Sequence, residues 1–148
     1  MGVLCDYFVA PSDADAVATL DRVGGPGRPG ADGAPAWPTL DAKGIDPFVT
    51  AGTLEQIVLG LDEEVDDPEP LATTDGGEGM VVPVSPRLVA ALAAADDAAL
   101  RDAAQAWSCT EELAASTAED LLPVVRGLAD LARQARQTRA GMYCWVSV

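Results

Sequence analysis

The sequence contains no histidine among its 148 residues, and this absence removes several classes of chemistry. Histidine is the usual general base near neutral pH and the commonest metal ligand. Catalysis by a Ser-His-Asp or Cys-His arrangement is therefore excluded. The three cysteines, Cys5, Cys109 and Cys144, are far apart and form no C-x-x-C pair that would indicate zinc. We predict no catalytic triad, no metal site and no cofactor.

Basic residues are also scarce. Nine Lys and Arg face 24 Asp and Glu, giving a net charge of −15 at pH 7. Such a field repels phosphate backbones and anionic lipid surfaces, so we expect neither a nucleic acid nor a membrane as partner. No uncharged apolar run reaches about 18 residues, and no secretory signal is visible. With an odd number of cysteines, this predicts a cytoplasmic protein with reduced thiols.

Aromatic residues make up only 5% of the chain, whereas hydrophobic residues make up 49%. Much of that fraction is alanine, so we expect a core of Leu, Val and closely packed Ala-faced helices. A chain of this length fits one domain spanning residues 1–148.

The two ends of the chain are uncharged or nearly so, and both read as strands. They are GVLCDYFV at residues 2–9 and GMYCWVSV at residues 141–148. We predict that they pair in a buried sheet. Alternation along the second strand would place one set of side chains against helices and Tyr143, Trp145 and Ser147 on the other face. The helix-packed set is Met142, Cys144, Val146 and Val148.

Between these ends, capping residues and apolar stripes predict five helices and one further strand. The helices are expected over about 12–22, 46–60, 85–96, 97–107 and 120–138. Thr110 or Ser116, the second with Glu119 at capping-box distance, can cap short helical pieces before the last helix. Pro123 is expected in the tolerant early turn of the last helix, and Gly141 is expected to end it. The strand, 80–84, contains Pro83 and should lie at an edge or carry a break. The predicted fold class is α+β, a small sheet including both terminal strands packed against amphipathic helices.

Two segments read as loops. Residues 24–38 are rich in Gly and Pro and predict a mobile surface insertion with Trp37 as its anchor; no helix follows that could hold a phosphate. Residues 61–70, LDEEVDDPEP, hold six carboxylates in ten positions but lack the register of a calcium loop. We interpret them as a solvated acidic loop.

The order of these elements resembles that of small uncharacterised actinobacterial proteins and, more distantly, of the YfbM-like family of unknown function. The matching pieces are Met1-Gly2 with Tyr7-Phe8, residues 41–43 before the Pro47 helix, residues 82–86, and residues 141–148. The Trp-His pair expected after the aspartate-lysine segment is missing here. The resemblance implies an α+β fold and transfers no catalytic residue.

Five residues are candidates for a binding site: Lys43, Asp46, Trp107, Cys109 and Glu111. Lys43 is the only lysine and lies between Asp41 and Asp46, which favours a salt-bridged role over a Schiff base or phosphate contact. Cys109 precedes a helix start, where thiols become reactive. Glu111, two positions further on, would oppose thiolate formation at Cys109, and no histidine can act as its base. Both points favour a semi-buried structural cysteine instead. Each tryptophan is more ordinarily a core or anchoring residue than a ligand platform.

Two functional hypotheses follow. The first is a non-catalytic binding or regulatory protein that presents its acidic surface to a basic protein partner, with complementary charge selecting the partner. The second is a small-molecule-binding protein or enzyme with a pocket near Lys43, Trp107 and Cys109.

Removing residues 141–148 should unfold the protein, because each buried Val or Met side chain contributes about 1.5–3 kcal/mol. The measurement is the thermal transition followed by circular dichroism. A cooperative transition retained by the truncated chain would contradict a core role for this strand.

Overall fold

The structure, a computed structural model, describes residues 3–31 and 33–148 and contains a five-stranded sheet. The strands are β1 (Leu4–Ala10), β2 (Thr39–Asp41), β3 (Ala72–Thr73), β4 (Gly79–Pro83) and β5 (Gly141–Ser147). Their order is β2-β1-β5-β4-β3, and every neighbouring pair is antiparallel. The two terminal strands therefore lie at the centre of the sheet.

Within the described residues, five α-helices accompany the sheet, which confirms the α+β class. They are α1 (Asp13–Ala18), α2 (Val49–Leu59), α3 (Pro86–Ala94), α4 (Asp97–Ser108) and α5 (Ala118–Thr138). Short 3-10 turns follow α1 at Thr19–Asp21 and precede α5 at Glu111–Leu113.

The pairing of the chain ends is as predicted. Tyr7 lies opposite Cys144, and the ladder extends from Leu4–Ser147 to Ala10–Gly141. Met142, Cys144 and Val146 belong to the core under the helices, while Tyr143 packs with Phe8 on the opposite face. Val148 is the exception: it lies beyond the end of the strand and is 70% exposed, so its predicted place on the packed face is wrong.

The main core lies between one face of the sheet and helices α2 to α5. The predicted stripe of α4 is buried, as is most of that of α5. Asp97 at the start of α4 accepts two hydrogen bonds from Arg126 of α5, at 2.9 and 3.0 Å. These bonds, with a further one from Arg101, lower the pKa of Asp97 to about 2. The charge pair joins the helices at the surface above their apolar contact.

The other face of the sheet is covered by α1 and the Gly/Pro-rich loop 24–38. Trp37 and Trp145 pack against a small cluster built around Phe8, so Trp37 anchors the loop as predicted. Arg22 is buried and donates to the carbonyl oxygens of Arg28 (2.8 Å) and Pro35 (2.9 Å). The described residues of the loop are therefore organised around an arginine, whereas the composition predicts a mobile insertion.

Helix starts differ slightly from the predictions, and local hydrogen bonding explains why. Thr117 with Asp120 forms the capping box of α5, one residue beyond the predicted Ser116 and Glu119. α2 begins at Val49, after Pro47, yet Asp46 still accepts from the backbone N–H groups of Phe48 and Val49. Asp46 therefore caps α2 as predicted although the helix begins later than expected.

Two predictions for α5 are corrected. The left-handed C-cap residue that follows its last residue, Thr138, is Arg139 (φ 56°), and Gly141 already belongs to β5. Pro123 lies past the first turn, so it removes the hydrogen bond that the Glu119 carbonyl would accept. Glu119 and Pro123 are both exposed, so water can donate a hydrogen bond to the Glu119 carbonyl.

Pro83 is accommodated as its chemistry requires. β4 is not an edge strand, but β3 pairs only with Val81 and Met80. Val84 donates to Met142 of β5, so the neighbouring Pro83 nitrogen faces the side where β3 has ended. No ladder hydrogen bond is lost there.

A like-charge pair crosses the first two strands. Asp6 of β1 lies directly opposite Asp41 of β2. Burial, and then the Asp41 charge, raise the pKa of Asp6 above its ordinary value. A raised carboxyl pKa means that the ionised form is disfavoured by folding. The protonated Asp6 therefore contributes its full share to the free energy of unfolding below the ordinary aspartate pKa. That contribution is lost as the pH rises through the folded-state pKa of Asp6.

Asp6→Asn should raise the free energy of unfolding at pH 7 by about 0.2–1 kcal/mol, the range for cross-strand pairs. At a pH below the ordinary aspartate value of 3.8 the gain should vanish, because Asp6 is then protonated. Urea unfolding at both pH values measures this. Asp75→Asn, at an exposed turn position, controls for the general loss of one negative charge. An equal gain from both variants at pH 7 would contradict the cross-strand repulsion.

Candidate functional site

The predicted site residue Trp107 is a core side chain. It has no exposed surface, and its indole N–H donates to the Thr50 carbonyl (3.2 Å) and the Thr53 hydroxyl (3.1 Å). These bonds join α4 to α2. A ligand could reach the ring only if the two helices separated.

Cys109 and Glu111 lie at the surface after α4. Cys109 is exposed, which corrects the semi-buried position favoured by the sequence, and its thiol donates to the Gln105 carbonyl at 3.4 Å. Glu111 is exposed at the first position of a 3-10 turn. Cys109 is the C-cap residue of α4, so no long helix begins at its thiol.

Lys43 and Asp46 flank the approach to α2. Lys43 is exposed and makes no ion pair with any residue in 3–31 or 33–148, so the predicted salt bridge is not formed. Asp46 is occupied with capping α2. Within the described chain, no hydrogen bond or ion pair connects Lys43 with Trp107 or Cys109. The contacts of these residues do not bring them together as one pocket.

A residue that the sequence reasoning missed forms a more defined site. Glu55 of α2 is 6% exposed, although it is a carboxylate. Its position follows from helix geometry, because 48, 51, 55 and 58 share one face at i, i+3, i+7, i+10 spacing. The sequence signal was therefore present: one acid stands among apolar residues on the inner side of α2.

The hydrogen bonding of Glu55 uses only one carboxylate oxygen. The Ser85 hydroxyl, at the N-cap of α3, donates to Oε1 at 2.6 Å. The Arg87 guanidinium lies 3.6 Å from the same oxygen and is 63% exposed. No described residue donates to Oε2. This oxygen is not among the fully enclosed polar atoms, so it keeps contact with solvent.

The carboxylate lines a small cavity of about 50 Å³. Its walls come from four parts of the fold: β1, α2, the acidic loop and the β4–α3 junction. Most of the wall is apolar or aromatic, and the Tyr7 hydroxyl is already bonded to the Ile45 carbonyl at 2.8 Å. Asp66 is the second carboxylate at the cavity. The principal apolar walls are Tyr7, Pro47, Phe48, Val65, Pro68 and Pro83.

The acidic loop 61–70 is held against α2. The Gln56 side chain donates to the Glu63 carbonyl (2.8 Å), and the Leu61 backbone N–H donates to the Gln56 carbonyl (2.9 Å). Val65 packs over Gly52, where an added Cβ would lie 3.1 Å from Val65 Cγ2. The glycine thus permits a close approach of loop to helix. The loop is not a free solvated segment along this part.

A second cleft of about 180 Å³ adjoins the first and shares Phe48, Gly52 and Val65 with it. The two clefts together carry five carboxylates, and no Lys or Arg lines either of them. We call this group the acidic face: Glu55, Glu64, Asp66, Asp67 and Glu112.

Chemistry, not size, distinguishes this site from the other concave surfaces. A cleft of about 550 Å³ between α2, α3 and α4 is larger but lined mainly by alanine side chains. Another of about 240 Å³ lies beside Trp37 and is also mainly apolar. Neither contains a buried ionised group, whereas the smaller cavity contains Glu55.

Among residues 3–31 and 33–148, no three Cys, Asp or Glu side chains are grouped closely enough to hold a metal ion. In the same part of the chain, no helix combines the length and apolar character of a membrane span.

Comparison with known proteins gives no match to a family model, to a curated protein or to a solved structure. The resemblance to the YfbM-like family therefore stays a prediction from the sequence. The function is therefore inferred from the geometry and the charges of the site.

Gly52→Val should displace the acidic loop, because the added methyl groups would occupy the space of Val65. Gly52→Ala is the matched control. It requires a shift of only a few tenths of an ångström and gains about 1 kcal/mol of helix propensity. We expect faster amide hydrogen exchange at Leu61 in the valine variant, with little change in the alanine variant. Equal protection of the Leu61 amide in both variants would contradict the view that the Gly52–Val65 contact holds the acidic loop against α2.

Proposed function

We propose that the protein is a non-catalytic binding protein whose acidic face receives a basic segment of a protein partner. One observation carries this proposal: five acidic residues line two adjoining clefts, and among residues 3–31 and 33–148 no Lys or Arg lines either of them. Charges on a protein surface are usually interspersed with opposite charges. A concave surface of one sign favours a partner of the other sign.

The charge of the whole molecule acts in the same direction. A net charge of −15 attracts cationic partners over distances up to about the Debye length of ~8 Å at physiological salt. Such attraction mainly raises the association rate and rejects acidic partners. The clefts then supply the short-range contacts that a diffuse field lacks.

The shape of the acidic face favours a short extended segment. Val65 and Gly52 are in contact and line both clefts, so the clefts adjoin at this point. An extended segment that passes over this contact can place one basic side chain in each cleft. Because the loop is already bonded to α2, little ordering entropy would be lost on binding.

The alternative hypothesis, a small-molecule pocket or active site near Lys43, Trp107 and Cys109, has no supporting contact. Trp107 is enclosed by α2 and α4, and Cys109 is exposed without a base beside it. A regulatory role through partner binding needs no such constellation.

Neutralising the acidic loop should weaken binding of a basic peptide. We expect the triple change Glu64→Gln, Asp66→Asn, Asp67→Asn to lower affinity for a labelled Lys/Arg-rich peptide about tenfold, since each exposed pair contributes about 0.2–1 kcal/mol. Fluorescence anisotropy at about 50 and about 300 mM salt measures the affinity and its salt dependence.

The matched control removes three exposed carboxylates outside both clefts: Asp21→Asn, Asp75→Asn and Glu78→Gln. It changes net charge by the same amount and should lower affinity much less. Equal weakening by both triple variants would show that the peptide senses only net charge and would overturn the proposal.

A further inference from the structure

We propose that the Glu55 cavity is a lysine pocket, which accepts a primary ammonium group in preference to a guanidinium. This inference rests on the proposed function, because it specifies which basic side chain of the partner occupies the cleft. It is argued from three features of the cavity: its charge, its free acceptor and its walls.

The charge of Glu55 is incompletely balanced. The side chain retains 8% of its surface, so the carboxylate has lost most of its hydration. Its closest partner, the Ser85 hydroxyl, is neutral, and its ion pair with Arg87 is 3.6 Å long. Because Arg87 is 63% exposed, water screens this ion pair, and the Glu55 charge is compensated only in part. A cation that entered the cavity would add a second counter-charge.

The acceptor geometry distinguishes the two basic side chains. Arginine binds carboxylates best through two parallel N–H···O bonds that use both oxygens. A guanidinium bound to both oxygens of Glu55 would compete at Oε1 with the Ser85 hydroxyl and with Arg87, which lies 3.6 Å away, whereas no described residue donates to Oε2. An ammonium is a compact charge that needs only one acceptor per N–H. Asp66, which also lines the cavity, offers a second acceptor.

The walls and the volume fit the rest of a lysine side chain. Phe48, Tyr7 and three prolines provide apolar and aromatic surface for the methylene groups, and aromatic faces attract cations. The cavity of about 50 Å³ is far below the roughly 300–1,000 Å³ of small-molecule pockets. It is suited to the end of one side chain and not to a larger ligand.

The test uses two side-chain analogues with the full-length protein. n-Butylammonium represents lysine and n-propylguanidinium represents arginine, and each is titrated while backbone amide shifts are recorded by NMR. We expect saturable shifts at Ala51, Glu55 and Ser85 and an affinity for n-butylammonium at least about fivefold higher. Equal or tighter binding of n-propylguanidinium would overturn the lysine pocket.

Two variants locate the binding. Glu55→Gln keeps an acceptor for Ser85 but removes the charge, and should weaken n-butylammonium binding about tenfold or more. Glu78→Gln, an exposed position outside both clefts, is the matched control and should bind as the unchanged protein does. If Glu55→Gln does not fold, Ala51→Leu fills the cavity and serves in its place. Unchanged affinity in the variant that folds would overturn the inference.

Peptides separate this inference from the proposed function. If all-Lys and all-Arg peptides bind equally and Glu55→Gln affects neither, the lysine pocket is wrong while the basic-partner proposal stands. If the acidic-loop variant and its charge-matched control bind both peptides alike, the proposed function is wrong. In that case the n-butylammonium titration alone tests whether the Glu55 cavity binds an ammonium group.

Discussion

Gly141–Ser147 joins the two halves of the sheet, because β1 and β4 each pair with β5 and not with each other. Tyr7, Cys144 and Val82 lie in one row across these three strands. This strand register sets the position of Tyr7 at the cavity. It also sets the position of the junction between β4 and α3. Ser85 at that junction is then within hydrogen-bond distance of Glu55. The candidate site therefore depends on the pairing of the two chain ends.

Burial raises the pKa of the Cys144 thiol in this row, which suits a packing role for that cysteine.

Glu55 represents a local conflict between stability and binding. An apolar residue of similar size would fill the inner face of α2 without the desolvation of a carboxylate. Such conflicts are expected where a side chain serves recognition, because evolution tolerates a small loss of stability at a site. The surrounding structure reduces the conflict by providing the Ser85 hydroxyl and by leaving Oε2 in contact with solvent. The same arrangement leaves an acceptor free for a partner.

Much of the fold could be predicted from residue patterns, because those patterns reflect short-range physics. The strand alternation at residues 142–146 and the stripe of α4 match the structure. One error concerns two equivalent neighbours. Ser116 and Thr117 both carry a hydroxyl that can cap a helix, and the cap of α5 is Thr117. The buried Arg22 could not be predicted, because its partners are backbone carbonyls of an irregular loop.

The sequence by itself determined the fold class, the lack of histidine chemistry and the acidic character of the surface, because composition and periodicity carry these properties. Only the tertiary structure decided which carboxylates matter. The acidic loop is conspicuous in sequence, but its contact with α2 depends on Gly52 meeting Val65. Glu55 and Ser85 are 30 positions apart and meet only after β4, α2 and α3 have packed. A binding site made of distant residues is a property of the packing, since no local pattern records which surfaces will face each other.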